Sequence, residues 1–140
     1  MTTTPDTRTG LETLSTDECW RLLGEHEVGR LAVSINHHPD IFPVNYRVHD
    51  ETILVHTAAG LKLAAATLGP AVAFEVDVIN EERHTGWSVV VKGPAVEVTA
   101  LDELLDVEDT GGVDTWADSE KTRYFRVTPT EVTGRRVPTS

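Results

Sequence analysis

The stretch that decides the fold is VGRLAVSINHHPDIFPVNYRVHDETILVHT, residues 28–57. Its first eight positions alternate between two faces, a period of two that is typical of a half-buried strand. Polar breaks at residues 36–40 (NHHPD) and 49–52 (HDET) predict turns. Because three apolar runs are joined by such short connections, this stretch predicts an antiparallel three-stranded meander.

Pro43 lies inside the second of these strands, IFPVNYRV. A proline has no N–H to donate to a neighbouring strand, so it is confined to edges and irregular positions of a sheet. The sequence therefore predicts an edge, a bulge or the mouth of a barrel at Pro43.

Upstream of the meander, Ser15 and Glu18 have the spacing of a capping box, which predicts a helix that Gly24 ends. Cys19, the only cysteine, lies in this helix and is expected to be a core residue rather than a nucleophile. Residues 1–13 are polar and threonine-rich, so we expect a disordered tail followed by one domain over residues 14–138.

Downstream of the meander, the pattern predicts a helix over 61–68, strands over 71–79 and 87–99, a helix over 101–107 and a last strand around 124–127. Gly93-Pro94 interrupts the long strand and predicts a bulge or bend. An open sheet would leave edges that these short helices cannot cover. The fold class we expect is mostly β, a six-stranded antiparallel Greek-key barrel with short helices.

The charge balance narrows the functional classes. There are 12 basic and 23 acidic side chains, a formal net charge of −11. A general nucleic-acid binder needs a basic face, which this composition does not supply. No apolar run approaches the length of about 18 residues that spans a bilayer, and the polar start has no signal-peptide core. We therefore expect a cytoplasmic protein that binds neither nucleic acid nor membrane.

The third strand runs into TAAGLK, residues 57–62, just before the predicted helix. A helix start offers free N–H groups to a phosphate, Thr57 adds a hydroxyl, Gly60 allows close backbone approach and Lys62 adds a positive charge. The alternative is an ordinary turn with a solvated lysine. The spacing matches neither a P-loop nor a dinucleotide fingerprint, which disfavours an NTPase or a Rossmann fold.

Six blocks occur in order along the chain: GRLAVS, PVNY, T-x-x-G-x-K, FEVD, GWSVVVKG and TPTEVTGRR. In this order and spacing the chain resembles the pyridoxamine 5'-phosphate oxidase-like family of FMN-binding split barrels. The resemblance runs from about Ser15 to Val137 and is closest to the short actinobacterial-type members.

This resemblance implies a homodimeric split barrel that holds FMN between its two protomers and acts as a flavin-dependent oxidoreductase on a small molecule. It implies that Thr57, Gly60 and Lys62 hold the phosphate, that the backbone around Pro43 to Asn45 lies along the flavin ring, and that Trp87 and Ser88 close the site. The whole set of implied cofactor-binding residues is Pro43, Val44, Asn45, Thr57, Gly60, Lys62, Leu63, Trp87 and Ser88.

The chain also departs from the family pattern. Alanines stand in the phosphate turn where the vitamin oxidases have further donors, and the tail TGRRVPTS has no tryptophan. The vitamin oxidase activity is therefore not expected. A deazaflavin-dependent reductase, a haem-binding barrel and a non-enzymatic cofactor-storage dimer remain as alternatives on the same fold.

The remaining candidates for a chemical role are the histidines and Arg30. The six histidines show no metal-ligand spacing, so no metal site is expected. His56 and His84 precede the TAAGLK and TGW stretches and are candidates to approach a ligand. Arg30 is expected either to pair with Glu75 or Asp77 at the barrel mouth or to reach the ligand. Nothing nominates a catalytic acid or base.

Overall fold

The structure is a computed structural model that describes residues 4–5, 10–57, 71–98 and 123–138. These residues contain one helix, α1 (Thr16–Leu23), and ten strands. The strands are β1 (Thr4–Pro5), β2 (Glu12–Thr13), β3 (Val28–Ile35), β4 (His38–His49), β5 (Thr52–Thr57), β6 (Val72–Asn80), β7 (Thr85–Gly93), β8 (Ala95–Glu97), β9 (Arg123–Val127) and β10 (Glu131–Arg136). They form one antiparallel sheet in the order β1-β2-β10-β7-β6-β3-β4-β5-β9-β8.

Helix α1 begins where the capping pattern predicts. The Ser15 hydroxyl accepts a hydrogen bond from the Glu18 N–H at 3.2 Å. The Glu18 carboxylate does not return to the cap but binds Arg21 and, at 3.2 Å, Arg136 of β10. The hydrogen bond from Arg21 lowers the pKa of Glu18 against the opposing effect of burial. A buried carboxylate therefore ties the helix to the sheet.

The predicted meander is present, with tighter turns than the sequence suggested. The first turn is the pair Asn36-His37 and the second is Asp50-Glu51, all with positive φ between 49° and 65°. Positive φ at both central residues is the type I′ geometry, whose twist matches paired strands. The prediction of a loop over residues 36–40 is wrong, because β4 already begins at His38.

Strand β4 tolerates its two prolines because its first half has a partner on one side only within the described residues. From His38 to Val44 it pairs with β3 alone, and pairing with β5 starts at Asn45. Pro39 and Pro43 both lie in the one-sided half, where a missing N–H leaves no second ladder incomplete. The expectation that Pro43 marks an edge is confirmed.

Strands β7 and β8 follow each other directly and form one bent ribbon, which wraps the sheet into a split barrel. Strand β7 pairs with β6 and β10, whereas its continuation β8 pairs with β9, which in turn pairs with β5. The bend lies at Gly93-Pro94, where the N–H groups of Thr128 and Thr130 donate to the carbonyls of Pro94 and Lys92 at 3.1 and 2.8 Å. The predicted bend at Gly93-Pro94 and the split-barrel class are confirmed.

The predicted number of six strands is wrong, since the described residues contain ten. The additional elements are the short strands β1, β2 and β8 and the full strand β10. Strand β10 was missed because EVTGRR carries little apolar surface, and Gly134 is its one fully buried position. Its partner β7 supplies the apolar side of the pair.

Several predictions concern residues outside the described ranges. These are the helices over 61–68 and 101–107, which stay predictions. The disordered tail also stays a prediction, although Glu12–Thr13 at its end pairs with Arg135 and Arg136 of β10.

The core lies between the walls of the barrel and α1. Its fully buried side chains include Leu23, Leu31, Ile53, Val55, Phe74, Val89, Val91, Phe125 and Val127. Cys19 is fully buried as well, and desolvation raises the pKa of its thiol, so its prediction as a core residue is confirmed. In the described part of the chain, no helix is long and apolar enough to cross a membrane.

We predict that Gly93→Ala destabilises the protein by about 3 kcal/mol, because overpacking against backbone cannot be relieved by a rotamer change. A Cβ on Gly93 would lie 1.9 Å from the Thr128 carbonyl oxygen. Gly24→Ala is the matched control, since the Trp20 carbonyl oxygen would lie 3.5 Å from its Cβ, an ordinary van der Waals distance. Urea unfolding measures both, and equal midpoints for the two variants would contradict this account of the bend.

Candidate functional site

The segment predicted to lie along a flavin ring occupies the middle of β4. Val44 points into the core and is 4% exposed, whereas Pro43 and Asn45 lie on the outer face of the sheet. Asn45 is directly opposite Val28 on β3 and His56 on β5. The segment therefore sits where β4 changes from one neighbour to two.

The strand end predicted to hold phosphate belongs to β5, which pairs with β4. Thr57 is the last residue of β5, is buried at 7% exposure, and stands directly opposite Arg123 of β9. Directly opposite residues have Cβ atoms about 5 Å apart on the same face of the sheet. Gly60, Lys62 and Leu63 lie outside the described residues, so their contribution stays a prediction.

His56, one of the histidines weighed for ligand contact, packs face to face with Tyr124. The two ring centroids are 4.2 Å apart with an angle of 6° between the planes. His56 is 9% exposed and is held between β4 and β9. The stack forms an aromatic platform beside Asn45 on the outer face of the sheet, whereas Thr57, the next residue along β5, faces the opposite side together with Val55.

Trp87 and Ser88 lie on β7 and, as neighbours along a strand, face opposite sides of the sheet. Trp87 is opposite Val78 and Arg136 and packs against His26 with ring centroids 5.4 Å apart. Two grooves of about 320 and 170 Å³ meet at Trp87. Ser88 is opposite Asp77, on the face that carries Glu75 and Arg30.

Within one chain, the two halves of the predicted site are separated. Strands β6 and β3 lie between β7, which carries Ser88, and β4, which carries Asn45. Three interstrand spacings of about 4.8 Å put these residues roughly 14 Å apart across the sheet. The structure therefore brings the ring segment and the Thr57 end together, but does not bring Ser88 to them.

Arg30, Glu75 and Asp77 form an ion cluster on the surface between Asn45 and Ser88. Arg30 Nη1 lies 3.3 Å from an Asp77 carboxylate oxygen and 3.5 Å from one of Glu75. The expected pairing of Arg30 is thus present with both carboxylates. Partial burial and the neighbouring Asp77 carboxylate raise the pKa of Glu75 to about 7, while Arg30 opposes the shift.

A further cleft of about 240 Å³ opens between the end of α1 and β4. Its described lining residues are Leu23, Gly24, His26, Glu27, Tyr46, Arg47 and Val48. The Tyr46 hydroxyl donates to the Leu23 carbonyl at 2.5 Å, so this polar group serves the fold. Of the described residues predicted to bind the cofactor, none lines this cleft.

The donor set at the end of β5 fits a phosphorylated flavin. A buried hydroxyl, Thr57, and a guanidinium, Arg123, share one face at one strand end, and both are donors that phosphate oxygens accept from. The outer-face residue Asn45 and the His56 platform lie on the same pair of strands. Among the described residues, no group of three or more His, Cys, Asp or Glu side chains is arranged to hold a metal ion.

The strand order and the bent ribbon define a split-barrel protein. The family model described as pyridoxamine 5'-phosphate oxidase matches residues 15–136. The chain therefore belongs to the pyridoxamine 5'-phosphate oxidase family.

Three relatives show the extent of the similarity. Rv0080 of Mycobacterium tuberculosis, an uncharacterized protein, is 32% identical over 129 residues, which cover 89% of this chain and 84% of that one. A pyridoxamine 5'-phosphate oxidase candidate from Corynebacterium glutamicum is 36% identical, with a TM-score of 0.78 over 90% of this chain and 97% of that one. The FAD binding protein of Mycobacterium smegmatis is 38% identical, with a TM-score of 0.73 over 89% and 98% of the two chains.

Sequence reasoning did not connect Arg123 and Tyr124 of β9 with Thr57 and His56 of β5. Arg123 lies next to Tyr124, at the start of the predicted last strand, but nothing local indicates that this strand pairs with β5. Alternation along GWSVVV could have shown that Trp87 and Ser88 face opposite sides of the sheet.

We predict that Glu75 makes stability fall as pH rises. Its folded-state pKa of about 7 lies above its ordinary value of 4.5, so the native state binds the proton more tightly. The resulting stability is fully present below pH 4.5 and is lost as pH rises through about 7. Urea midpoints from pH 4.5 to 8 should show wild type losing stability relative to Glu75→Gln over this range.

Glu131→Gln is the matched control, because it removes one exposed carboxylate from the same sheet. A wild-type curve that runs parallel to that of Glu75→Gln at every pH would show that the cluster does not retain the proton.

Proposed function

We propose that this protein is a homodimeric, cytoplasmic flavin-nucleotide-binding protein, with FMN as the first-choice cofactor, and that it is an oxidoreductase acting on a small organic molecule. The observation that carries the proposal is the pairing of β4, β5 and β9. This pairing sets the Pro43–Asn45 segment beside the strand that ends at Thr57, opposite the Arg123 guanidinium. Family membership supports the same assignment.

In this proposal each part of the site has a separate task. Thr57, with Gly60, Lys62 and Leu63 of the following turn, holds the phosphate end of the nucleotide. The backbone of Pro43 to Asn45 orients the ring, and the His56–Tyr124 stack keeps that part of the barrel rigid. The bound flavin supplies hydride or electron transfer, and the protein supplies orientation and exclusion of water.

The homodimer is proposed because one chain does not complete the site. Ser88 and Asn45 lie roughly 14 Å apart across the sheet of one chain, and we propose that the Ser88 side chain that closes a given ring comes from the partner protomer. A two-fold axis makes such a contact reciprocal and builds two equal sites. Trp87 and Ser88 of one protomer would then close the site whose phosphate end belongs to the other.

FAD is the second candidate cofactor. The Mycobacterium smegmatis relative is named as an FAD binding protein, and its 38% identity extends over 89% of this chain. FAD contains the same ring and an additional nucleotide, so both cofactors use the ring segment and a phosphate seat. A deazaflavin, haem and a non-enzymatic storage role are the remaining outcomes that the following experiments separate.

We predict that wild type binds FMN and quenches its fluorescence, and that Lys62→Ala weakens this binding by roughly tenfold, the value of one charge-assisted hydrogen bond. Lys92→Ala is the matched control, since Lys92 lies on β7 beside Glu131. Parallel titrations with FAD, a deazaflavin and haem identify the preferred cofactor. If wild type binds no flavin, or if Lys62→Ala binds as well as wild type, the phosphate seat is wrong.

Turnover of a reduced nicotinamide by the flavin-loaded protein, with a small organic acceptor, separates an enzyme from a storage protein. Loaded protein that neither accepts nor donates electrons would support the storage role.

A second prediction tests the shared site. Lys62→Ala and Ser88→Trp chains should each bind FMN weakly as homodimers, the first for lack of charge and the second because a large ring blocks the partner's site. After subunit exchange, about a quarter of all sites should regain wild-type affinity, since each heterodimer rebuilds one of its two sites. Sedimentation checks that both variants remain dimeric. No recovery from a dimeric mixture would place the whole site in one chain.

A further inference from the structure

The rim of the barrel beside Thr57 carries a charged pair that lies outside the six sequence blocks quoted above. Arg123 begins β9, and its Nε lies 3.5 Å from a carboxylate oxygen of Glu97 on β8. Glu97 is opposite Phe125, so its side chain shares a face with Arg123 and Thr57. The three side chains therefore form one short row at a strand end.

This pair leaves most of the guanidinium available. An arginine has five N–H donors in a planar fork, and Glu97 approaches only the Nε position. No described residue pairs with the two terminal nitrogens of Arg123, and its side chain is 41% exposed. Within the described part of the chain, the fork is thus contacted by Glu97 at its Nε edge alone.

The overall charge makes this local cation important. With 23 acidic against 12 basic side chains, the protein repels an anion at a distance. A phosphate that binds here needs cations placed within a few ångströms, and the strand end provides Arg123 directly opposite the Thr57 hydroxyl. An exposed cation beside a carboxylate attracts an anion less strongly than an unpaired cation does, because the carboxylate reduces the local positive potential.

We propose that Arg123 is a phosphate-binding residue of the flavin seat and that Glu97 sets its strength, by orienting the guanidinium while competing with the phosphate for it. This inference rests on the proposed flavin binding and adds a specificity residue to it. The seat then selects phosphorylated flavins over riboflavin through Arg123, and Glu97 limits the affinity that a doubly charged phosphate reaches.

The test compares FMN with riboflavin, which has the same ring but no phosphate. Fluorescence titrations are made with wild type, Arg123→Gln, Glu97→Gln and the double variant. Arg83→Gln, an exposed arginine of the turn before β7, is the charge-matched control. Urea midpoints of all variants should agree closely, because an exposed ion pair contributes little to stability.

Arg123→Gln should weaken FMN binding by about tenfold and leave riboflavin binding unchanged, because only FMN offers a charged acceptor. Glu97→Gln should strengthen FMN binding by roughly twofold to fivefold, the range for an exposed charge partner. In the Arg123→Gln background, the Glu97→Gln gain should disappear, since Glu97 acts through Arg123.

The outcomes separate this inference from the proposed function. If Arg123→Gln leaves FMN binding at the wild-type value, or weakens FMN and riboflavin equally, Arg123 is not a phosphate residue although flavin binding stands. If the Glu97→Gln gain persists without Arg123, the competition between them is wrong. If wild type binds neither flavin, both proposals fail together.

Discussion

The bend at Gly93-Pro94 is the constraint on which the architecture depends. Gly93 lies so close to the Thr128 carbonyl that no side chain fits between them, and two backbone hydrogen bonds hold the crossing. Because the ribbon bends here, its first half, β7, pairs with β6, and its second half, β8, pairs with β9, which in turn pairs with β5.

The candidate site follows from this closure. The strand that carries Pro43 to Asn45 has a neighbour on one side only over its first half, and β9 completes the other flank of β5. Thr57 and the Pro43–Asn45 segment are thereby fixed on paired strands, an arrangement that would favour precise placement of the proposed cofactor. Ser88 lies on the far side of the Arg30 cluster from Asn45, and the proposed homodimer would bring the two residues to one site.

Sequence patterns predicted the helix, strands and strand edge that are determined by residues close together in the sequence. Period-two alternation located β3 and β5, the Ser15 cap located α1, and Pro43 marked the edge. Alternation in FEVD also placed Glu75 and Asp77 together on the face that Arg30 reaches. Five-residue and four-residue turns were expected where two-residue type I′ turns occur, because Asn36-His37 and Asp50-Glu51 adopt positive φ without a glycine.

Long-range pairing could not be predicted in this way. Arg123 and Thr57 are far apart in sequence and meet only because β9 follows the bend. The same closure stacks Tyr124 on His56, and neither residue shows a pattern that indicates this contact. Strand β10 was not predicted for a different reason, since its buried position is Gly134 and it has few apolar side chains.

A crystal structure of the protein with FMN is the most direct test of the central claim. The account predicts two flavins per dimer, each with its phosphate in hydrogen-bond reach of the Thr57 hydroxyl and the Arg123 guanidinium, and with its ring along the Pro43–Asn45 backbone. Ser88 of the partner subunit should lie against the same ring. A flavin bound elsewhere, such as the cleft between α1 and β4, would contradict it.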